Sequence, residues 1–473
     1  MLTIGKCLNA LSGQSPEFSG PIVTGARVDS RKILPGNIFV AMSGEKTDGH
    51  LYVENAFRNG AVAALIDHDI EPGYQIIDLT GSSIIPNTID FLSPICIKTG
   101  DSIQALQTIA KSWRNQLTVD VVGITGSVGK STTKELTADV LQSQFVTLKN
   151  PGNLNNEIGL PLTLLELTEE HQVAVLEMGL YVQGDLKFLC DIASPRIGVI
   201  TNIGTVHAER AGSQEAIAAG KAELVQSLPA APQGVAILNY DDPLVYPMAE
   251  LTKAHVFYYG LSSKADLWAD QIEGMGLEGI RFRLHHKNDV LHLRVPQIGR
   301  HSVHTVLRAV SVGLVFNLSW NEIIHNLQTS KNQIRLNTVY SSKGSLILDD
   351  TYNASPESTL AALNLLHELE GRKIAILGDM KELGPYEKQG HEKVGLRAAD
   401  VCETLITYGE LSAMIAGAAL QAGMSGRHIH HFSDMDELIA FVNEMSTGKE
   451  VILVKGSNSL KMDRIVSALE NAQ

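Results

Sequence analysis

The chain has 473 residues, 44% of them hydrophobic, with 41 glycines and a formal net charge of −14. At roughly 100 to 200 residues per domain, that length excludes a single ordinary core and predicts three domains of a globular α/β protein. The acid excess argues against a nucleic-acid or anionic-membrane surface, so a polyanionic ligand would need a local positive site.

Cys7, Cys96, Cys190 and Cys402 are scattered without a C-x-x-C pair, which disfavours a disulfide framework or zinc ribbon and fits a reducing cytosol. Met1 to Gly13 lacks the charged-then-apolar layout of a signal peptide, and there is no apolar run of about 18 residues, so a soluble cytoplasmic protein without membrane insertion is expected. Residues 1–98 mix short apolar runs such as Ile38-Phe39-Val40-Ala41-Met42 with turn residues, and Gly81 to Pro94 is rich in Pro, Ser and Thr. That reads as a small α/β domain with a loose exit. With Asp101 as its N-cap, a helix is predicted to Leu117, carrying Ile103, Leu106, Ile109, Ala110, Trp113 and Leu117 at helical spacing.

This helix delivers the chain to its most informative stretch, Gly123 to Thr133. Val119 to Ile124 reads as a buried strand, the glycines free the next turn from side chains, and Ser131 to Gln142 reads as a helix. Phosphate would sit at the helix N-terminus, where backbone N–H groups and the positive dipole end favour anions. Lys130 would reach the β- and γ-phosphates of a nucleotide, and the Ser131 hydroxyl would ligate Mg2+. The usual spacing G-x-x-x-x-G-K-S/T puts its first glycine at Ile124, whereas Gly126 comes two residues late, so this is a G-x-x-G-K-S variant. On pattern alone, a tight strand-to-helix turn with a surface lysine competes with it.

Beyond the loop, Val173 to Leu176 and Ile197 to Ile200 read as central parallel strands, because uninterrupted apolar runs fit burial on both faces. Glu177 and the loop Thr201 to His207 follow their carboxyl ends, where parallel sheets place their sites. A carboxylate there suits a hard cation or plain solvation, and a lone loop histidine is more often a surface residue. Lys221 lies in an Ala-rich helical stretch and would not stand out alone. The amide-dense run Asn153 to Pro161 suits ligand contacts or turn capping equally. From Ile280 to Val295 the period changes to two, which predicts an antiparallel hairpin at a sheet edge.

After about Gln333 a second βα series begins, with strands at Leu346–Leu348, Lys373–Leu377, Thr404–Tyr408 and Val451–Val454 and a helix at Glu357–Leu369. A doubly wound domain is predicted, without the G-x-G-x-x-G of a dinucleotide site. Asp349 to Pro356 ends its first strand with two acids and a polar loop just past a domain boundary, which favours a cleft over simple helix capping. His428, His430 and His431 read as an edge strand rather than a metal site, since only two of them share a face.

These pieces, in this order, resemble the Mur ligases over nearly the whole chain. In the first part the resemblance rests on Asp29-Ser30-Arg31, Pro35 to Ala41 and Gly44 to His50. The middle contributes the phosphate loop, Gly152 to Pro161, Leu176-Glu177-Met178-Gly179, Thr201 to His207 and Lys221. The last part contributes Asp349 to Pro356, Leu377 to Gly384 and Lys455-Gly456-Ser457, of which the final two separate this branch from its sisters.

The resemblance implies three domains: residues 1–98 for a UDP-sugar-peptide, 99–332 as a P-loop ATPase, and 333–473 as a Rossmann-like ligase domain. It implies an ATP-dependent ligase that adds D-alanyl-D-alanine to UDP-N-acetylmuramoyl-tripeptide through an acyl phosphate, acting as a monomer. Gly126, Ser127, Gly129, Lys130, Ser131 and Thr132 would then hold ATP phosphates, with Asn155, His301, Asp350 and Asn353 completing the nucleotide site. Ser131 and Glu177 would ligate one Mg2+, and His207 would serve a second. Lys221 would act as a carbamate that helps bind metal, and Arg335 would approach the transferred phosphate from the domain junction. Ser30, Arg31, Thr47 and Asp48 would contact the UDP-substrate.

Three stretches depart from the family pattern: His301-Ser302-Val303-His304-Thr305 where His-Asn-x-x-Asn is usual, Asn458 where arginine is common, and Tyr181-Val182 in place of a more polar pair. None removes a phosphate or metal ligand, so activity with altered nucleotide or acceptor contacts is expected. The competing functions are a related Mur-type ligase with another acceptor, a P-loop phosphotransferase, and a catalytically silent binding module.

Overall fold

Among the described residues, three sheets, drawn from residues 25–98, 120–295 and 337–455, organise the fold. The computed structural model describes residues 1–44, 47–71, 73–81, 85–86, 89–205, 208–330 and 337–471. The first sheet is wholly parallel, with Gly25–Arg27, Asn37–Val40, Ala63–Ile66, Ile95–Lys98 and Gln75–Asp78 in spatial order.

Among the described residues, the central sheet has nine strands. Asp120–Thr125 pairs in parallel with Val173–Glu177 on one side and Ile197–Ile200 on the other, and all three are buried along nearly their whole length. Strands covered on both faces need apolar residues at every position, which is why these runs were legible. Val235–Asn239, His255–Gly260 and Leu267–Gly274 continue the parallel array. Ile280–His286 and Asp289–Val295 close its edge as the expected antiparallel hairpin, with Ile280, Phe282 and Leu284 turned to the core.

The helix Ser102–Asn115 is capped as expected, with the Asp101 carboxylate accepting from the N–H groups of Ile103 and Gln104. It stops short of Leu117 because the buried Arg114 guanidinium binds the carbonyls of Leu117 and Val119, turning the chain into the phosphate-loop strand. The helix also joins two domains. A continuous apolar core contains Ile38 and Leu65 of the first sheet, Leu106 and Trp113 of the helix, and Leu160 and Leu176 of the central domain. Trp113 is fully covered and donates its indole N–H to Leu167 O at 2.9 Å, so truncation to alanine would cost about 3 to 5 kcal/mol.

The third sheet is parallel except at one edge, where Asn337–Tyr340, not anticipated from the sequence, runs antiparallel to Leu346–Asp350. Glu450–Lys455, Arg372–Gly378, Thr404–Tyr408 and Ile429–Phe432 follow in order. Separate cores cover its two faces, one around Leu348, Leu363 and Leu377 and one around Ile374, Ile452 and Ile465, which makes the domain doubly wound. Of the histidines expected on an edge strand, His430 and His431 lie on Ile429–Phe432 while His428 ends the turn Gly426–His428 before it; His430 lies against Phe441, and His431 Nδ1 bonds the Thr407 hydroxyl at 3.0 Å. Among the described residues, no helix is long and apolar enough to cross a membrane.

Candidate active site

The strand Asp120–Thr125 ends in Gly126, whose φ of +144° is a conformation that L side chains rarely adopt. A Cβ there would stand 1.8 Å from Thr201 Oγ1, so the late glycine of the loop is required by its neighbouring strand. Asn202 then braces the loop from that same strand end. Its carbonyl accepts from Ser127 N–H and its side-chain oxygen from Val128 N–H, both at 2.9 Å, while Gly204 N–H donates to Ser127 Oγ at 2.8 Å.

The helix Lys130–Leu141 begins directly after this turn, so Gly129 and Thr132 lie at the positive end of its dipole. Ser131 Oγ donates to Glu177 Oε2 at 2.5 Å, and Asn155 Nδ2 donates to Glu177 Oε1 at 2.8 Å. Asn150, fully buried, fixes the glutamate backbone by accepting from its N–H at 2.9 Å and donating to its carbonyl at 3.0 Å. Glu177 is therefore held at both carboxylate oxygens and at its main chain, with only 2% of its surface exposed.

Two lysines meet on the carbonyl of Gly126. Lys130 Nζ donates to it at 2.9 Å and Lys221 Nζ, from the helix Gln214–Gln226, at 3.0 Å. Lys221 is buried, and that burial first, then the positive charge of Lys130, hold its pKa well below the usual lysine value against the opposing pull of Glu177. An amine so placed is a neutral nucleophile under conditions where a surface lysine is an ammonium.

An open cleft runs from this loop to the third sheet, lined by Gly129, Thr132 and His301 on one wall and Asp350, Asn353 and Lys455 on the other. Lys455, buried, ties the far wall together by donating to Asp350 Oδ2 at 2.6 Å and Asn353 O at 2.8 Å. His301 has an exposed outer edge but is crowded behind; burial, then the positive charges of His304, Arg308 and Lys455, hold its pKa below the ordinary value. It therefore faces the cleft as a neutral imidazole. The residues that depart from the family pattern have local partners: Ser302 Oγ donates to Ile298 O, and Thr305 Oγ1 accepts from Arg308. Arg308 is buried and also reaches Thr133 Oγ1 at 2.8 Å and Tyr259 OH at 3.3 Å.

The third domain grips the segment that follows Thr201. Thr205 Oγ1 approaches Glu357 Oε1 at 3.5 Å, Glu209 N–H donates to Glu382 O at 3.3 Å, and Gln214 N–H donates to Tyr386 OH at 3.3 Å. His207, within that segment, and Arg335 lie outside the described residues.

Ser30, Arg31, Thr47 and Asp48 sit elsewhere, on loops after the first two strands of the first sheet. The Arg31 guanidinium clasps both Asp29 oxygens at 2.9 Å and holds that carboxyl down at about 2. Thr47 Oγ1 bonds Tyr52 OH at 3.1 Å, and Asp48 caps the turn Gly49–Tyr52.

Sequence reading singled out neither Asn150, Asn202 nor Arg308. The available signal was strongest for Arg308, a lone arginine inside the largely apolar helix Val303–Val315, since a buried guanidinium must be paired.

The chain matches three family descriptions: Mur ligase middle domain over residues 124–313, Mur ligase glutamate ligase domain over 334–458, and Mur ligase family catalytic domain over 22–90. It is 33% identical over 459 residues to UDP-N-acetylmuramoyl-tripeptide–D-alanyl-D-alanine ligase of Bacillus subtilis (strain 168), spanning 96% of this chain and 95% of the relative. Its fold is similar to crystal structure I of MurF from Acinetobacter baumannii, with a TM-score of 0.82, 28% identity and 98% of each chain covered. MurF ligase from Thermotoga maritima, solved in complex with ADP, matches with a TM-score of 0.78 and 25% identity over 95% of this chain and 97% of that one.

Proposed function

The chain belongs to the Mur ligase family, and on that premise we propose that it joins D-alanyl-D-alanine to UDP-N-acetylmuramoyl-tripeptide, converting ATP to ADP and phosphate, in peptidoglycan precursor synthesis. It is an ATP-dependent ligase that forms a peptide bond. The observation that carries the reading is Lys221, buried on the phosphate loop beside Glu177; a plain P-loop phosphotransferase has no need of a second lysine there.

A free carboxylate is a poor electrophile, and its charge repels a nucleophile. In the proposed reaction a peptide carboxylate oxygen attacks the γ-phosphorus, the bond from that phosphorus to the ADP oxygen breaks, and an acyl phosphate forms. The amine of D-alanyl-D-alanine then attacks the acyl carbon, loses a proton, and expels phosphate. Lys130 swings from the loop carbonyls to the β- and γ-phosphates, and Gly126, Ser127, Gly129 and Thr132 shape the cradle. His301, Asn155, Asp350 and Asn353 complete the nucleotide site, and Arg335 approaches the transferred group. Docking of the third domain excludes water that would hydrolyse the acyl phosphate.

Ser131 Oγ and the Glu177 carboxylate, oxygen donors 2.5 Å apart, fit a hard divalent cation. We assign Mg2+ to them, with His207 serving a second ion and Lys221 as a carbamate that helps bind metal. When bound, Mg2+ supplies positive charge to the phosphoryl oxygens. Lys221 forms its carbamate when the neutral amine attacks CO2 and releases a proton. Ser30, Arg31, Thr47 and Asp48 receive the UDP-substrate, and we divide the domains at 98/99 and 332/333 of a cytoplasmic monomer.

Phosphate release tests the function. Incubation with ATP, UDP-N-acetylmuramoyl-tripeptide and D-alanyl-D-alanine should release phosphate only when all three are present. No release would overturn the assignment, and release with a different amino acid or dipeptide in place of D-alanyl-D-alanine would move it to a sister ligase.

A further inference from the structure

Two neighbouring parallel strands of the first sheet, Asn37–Val40 and Ala63–Ile66, end in loops that carry Asp48 with His50 and Asp67 with His68. These four side chains form a closed ring. Asp67 N–H donates to the buried His50 Nε2 at 3.2 Å and Asp67 Oδ1 lies 3.3 Å from the same nitrogen, while His50 Nδ1 faces Asp48 Oδ1 at 2.7 Å. The His68 ring lies against that of His50, tilted by 37°, with ring centroids 3.6 Å apart. Its Nδ1 faces Asp67 Oδ1 at 2.8 Å, and its Nε2 faces Asp48 Oδ2 at 3.0 Å.

A neutral imidazole has one N–H and one lone pair, so it can satisfy only one of these carboxylates and sets its lone pair against the other. The imidazolium satisfies both. We propose that His68 is a positioning residue for the UDP-linked substrate: as an imidazolium it clasps Asp48 to Asp67, holding the Thr47–Asp48 turn in its binding arrangement, and loss of that proton releases the turn. The proposal rests on the reading that this edge of the first sheet receives the UDP-substrate.

The charged groups facing His68 are Asp67 and Asp48, and its remaining titratable neighbour is His50. The hydrogen bond to Asp67 comes first and outweighs burial, with Asp48 adding to it, so the His68 pKa is raised above its usual value. A raised folded-state pKa gives the sign: the clasp is closed at low pH and opens as pH rises through that value.

The test uses the full chain as wild type, His68→Arg and His68→Phe. Arginine is a permanent cation able to bridge two carboxylates, and phenylalanine keeps the ring contact without donors. Between about pH 6 and pH 9 the wild-type KM for UDP-N-acetylmuramoyl-tripeptide should rise about tenfold, with kcat following the same course in all three proteins. His68→Arg should hold KM low across the range and His68→Phe should hold it high, while 1H–15N spectra of the wild type show His68 titrating above free histidine. A His68→Phe protein with the wild-type KM profile would overturn the proposal, as would a His68 ring neutral at the acid end or stoichiometric zinc retained by wild type and lost in His68→Phe. Titration of His68 with KM flat in every protein would overturn the positioning role while leaving the ligase assignment to the phosphate-release assay.

Discussion

Gly126 and Thr201 meet so closely that a single methyl group does not fit between them: a Cβ on Gly126 would lie 1.8 Å from Thr201 Oγ1. The contact joins the ends of two adjacent strands, so the phosphate loop and the segment leading toward His207 are one structural unit. Gly126→Ala should combine strain at a positive φ with overpacking and cost about 2 to 4 kcal/mol. The expected result is a melting temperature lowered by several degrees and a raised KM for ATP. An alanine variant with wild-type melting and nucleotide kinetics would refute the constraint.

Glu177 is the most heavily oriented carboxylate of the site, with Asn155 and Ser131 on its two oxygens and Asn150 on its backbone. Such orientation matters to a metal ligand and little to a solvated acid. Glu177→Gln should lower kcat/KM about 10²- to 10³-fold, with partial recovery as Mg2+ is raised. Ser131→Ala should move in the same direction. A Glu177→Gln enzyme whose Mg2+ dependence matches wild type would remove the glutamate from the metal site.

Lys221 should show a dependence on CO2 that no other lysine in the chain shares. Its pKa is depressed, so the amine is neutral above the folded-state value and becomes an unreactive ammonium as pH falls through it. In CO2-free buffer, activity should decay faster at lower pH and return on adding bicarbonate. Native mass spectrometry should find one extra CO2, absent in Lys221→Ala, which should be nearly inactive. Full activity of Lys221→Ala would sink both the carbamate and the ligase-specific reading of this residue.

The phosphate loop was legible because its information is local: an apolar run, glycines and a Lys-Ser pair lie within eleven positions of one another, from Gly123 to Thr133. Glu177 was legible as a strand end. The braces were not, because each pairs residues far apart in the chain: Asn150 with Glu177 across 27 positions, Asn202 with Val128 across 74, Arg308 with Thr133 across 175. Spacing carries no record of such pairs, which exist only once the strand order is set. The same holds for the bridging helix, whose sequence predicts an apolar face without saying that two domains share it.

The last prediction concerns the grip of the third domain. Gly384 has φ +52°, and a Cβ there would lie 2.8 Å from Glu209 Cα, a backbone atom that cannot turn aside. Gly384→Ala is therefore a wedge between the domains, placed beside the bonds from Glu209 to Glu382 and from Gln214 to Tyr386. Neither substrate site is touched, so the KM for ATP and for UDP-N-acetylmuramoyl-tripeptide should change little. The aligned geometry needed for the chemical step is what the wedge disturbs, and a displacement of about 1 Å can cost up to 10²-fold in rate. The expected outcome is a kcat lowered at least about tenfold with near-normal KM values, together with a larger radius of gyration by small-angle scattering. If kcat is unchanged, the contact at Gly384 belongs to a resting arrangement that the reaction does not use.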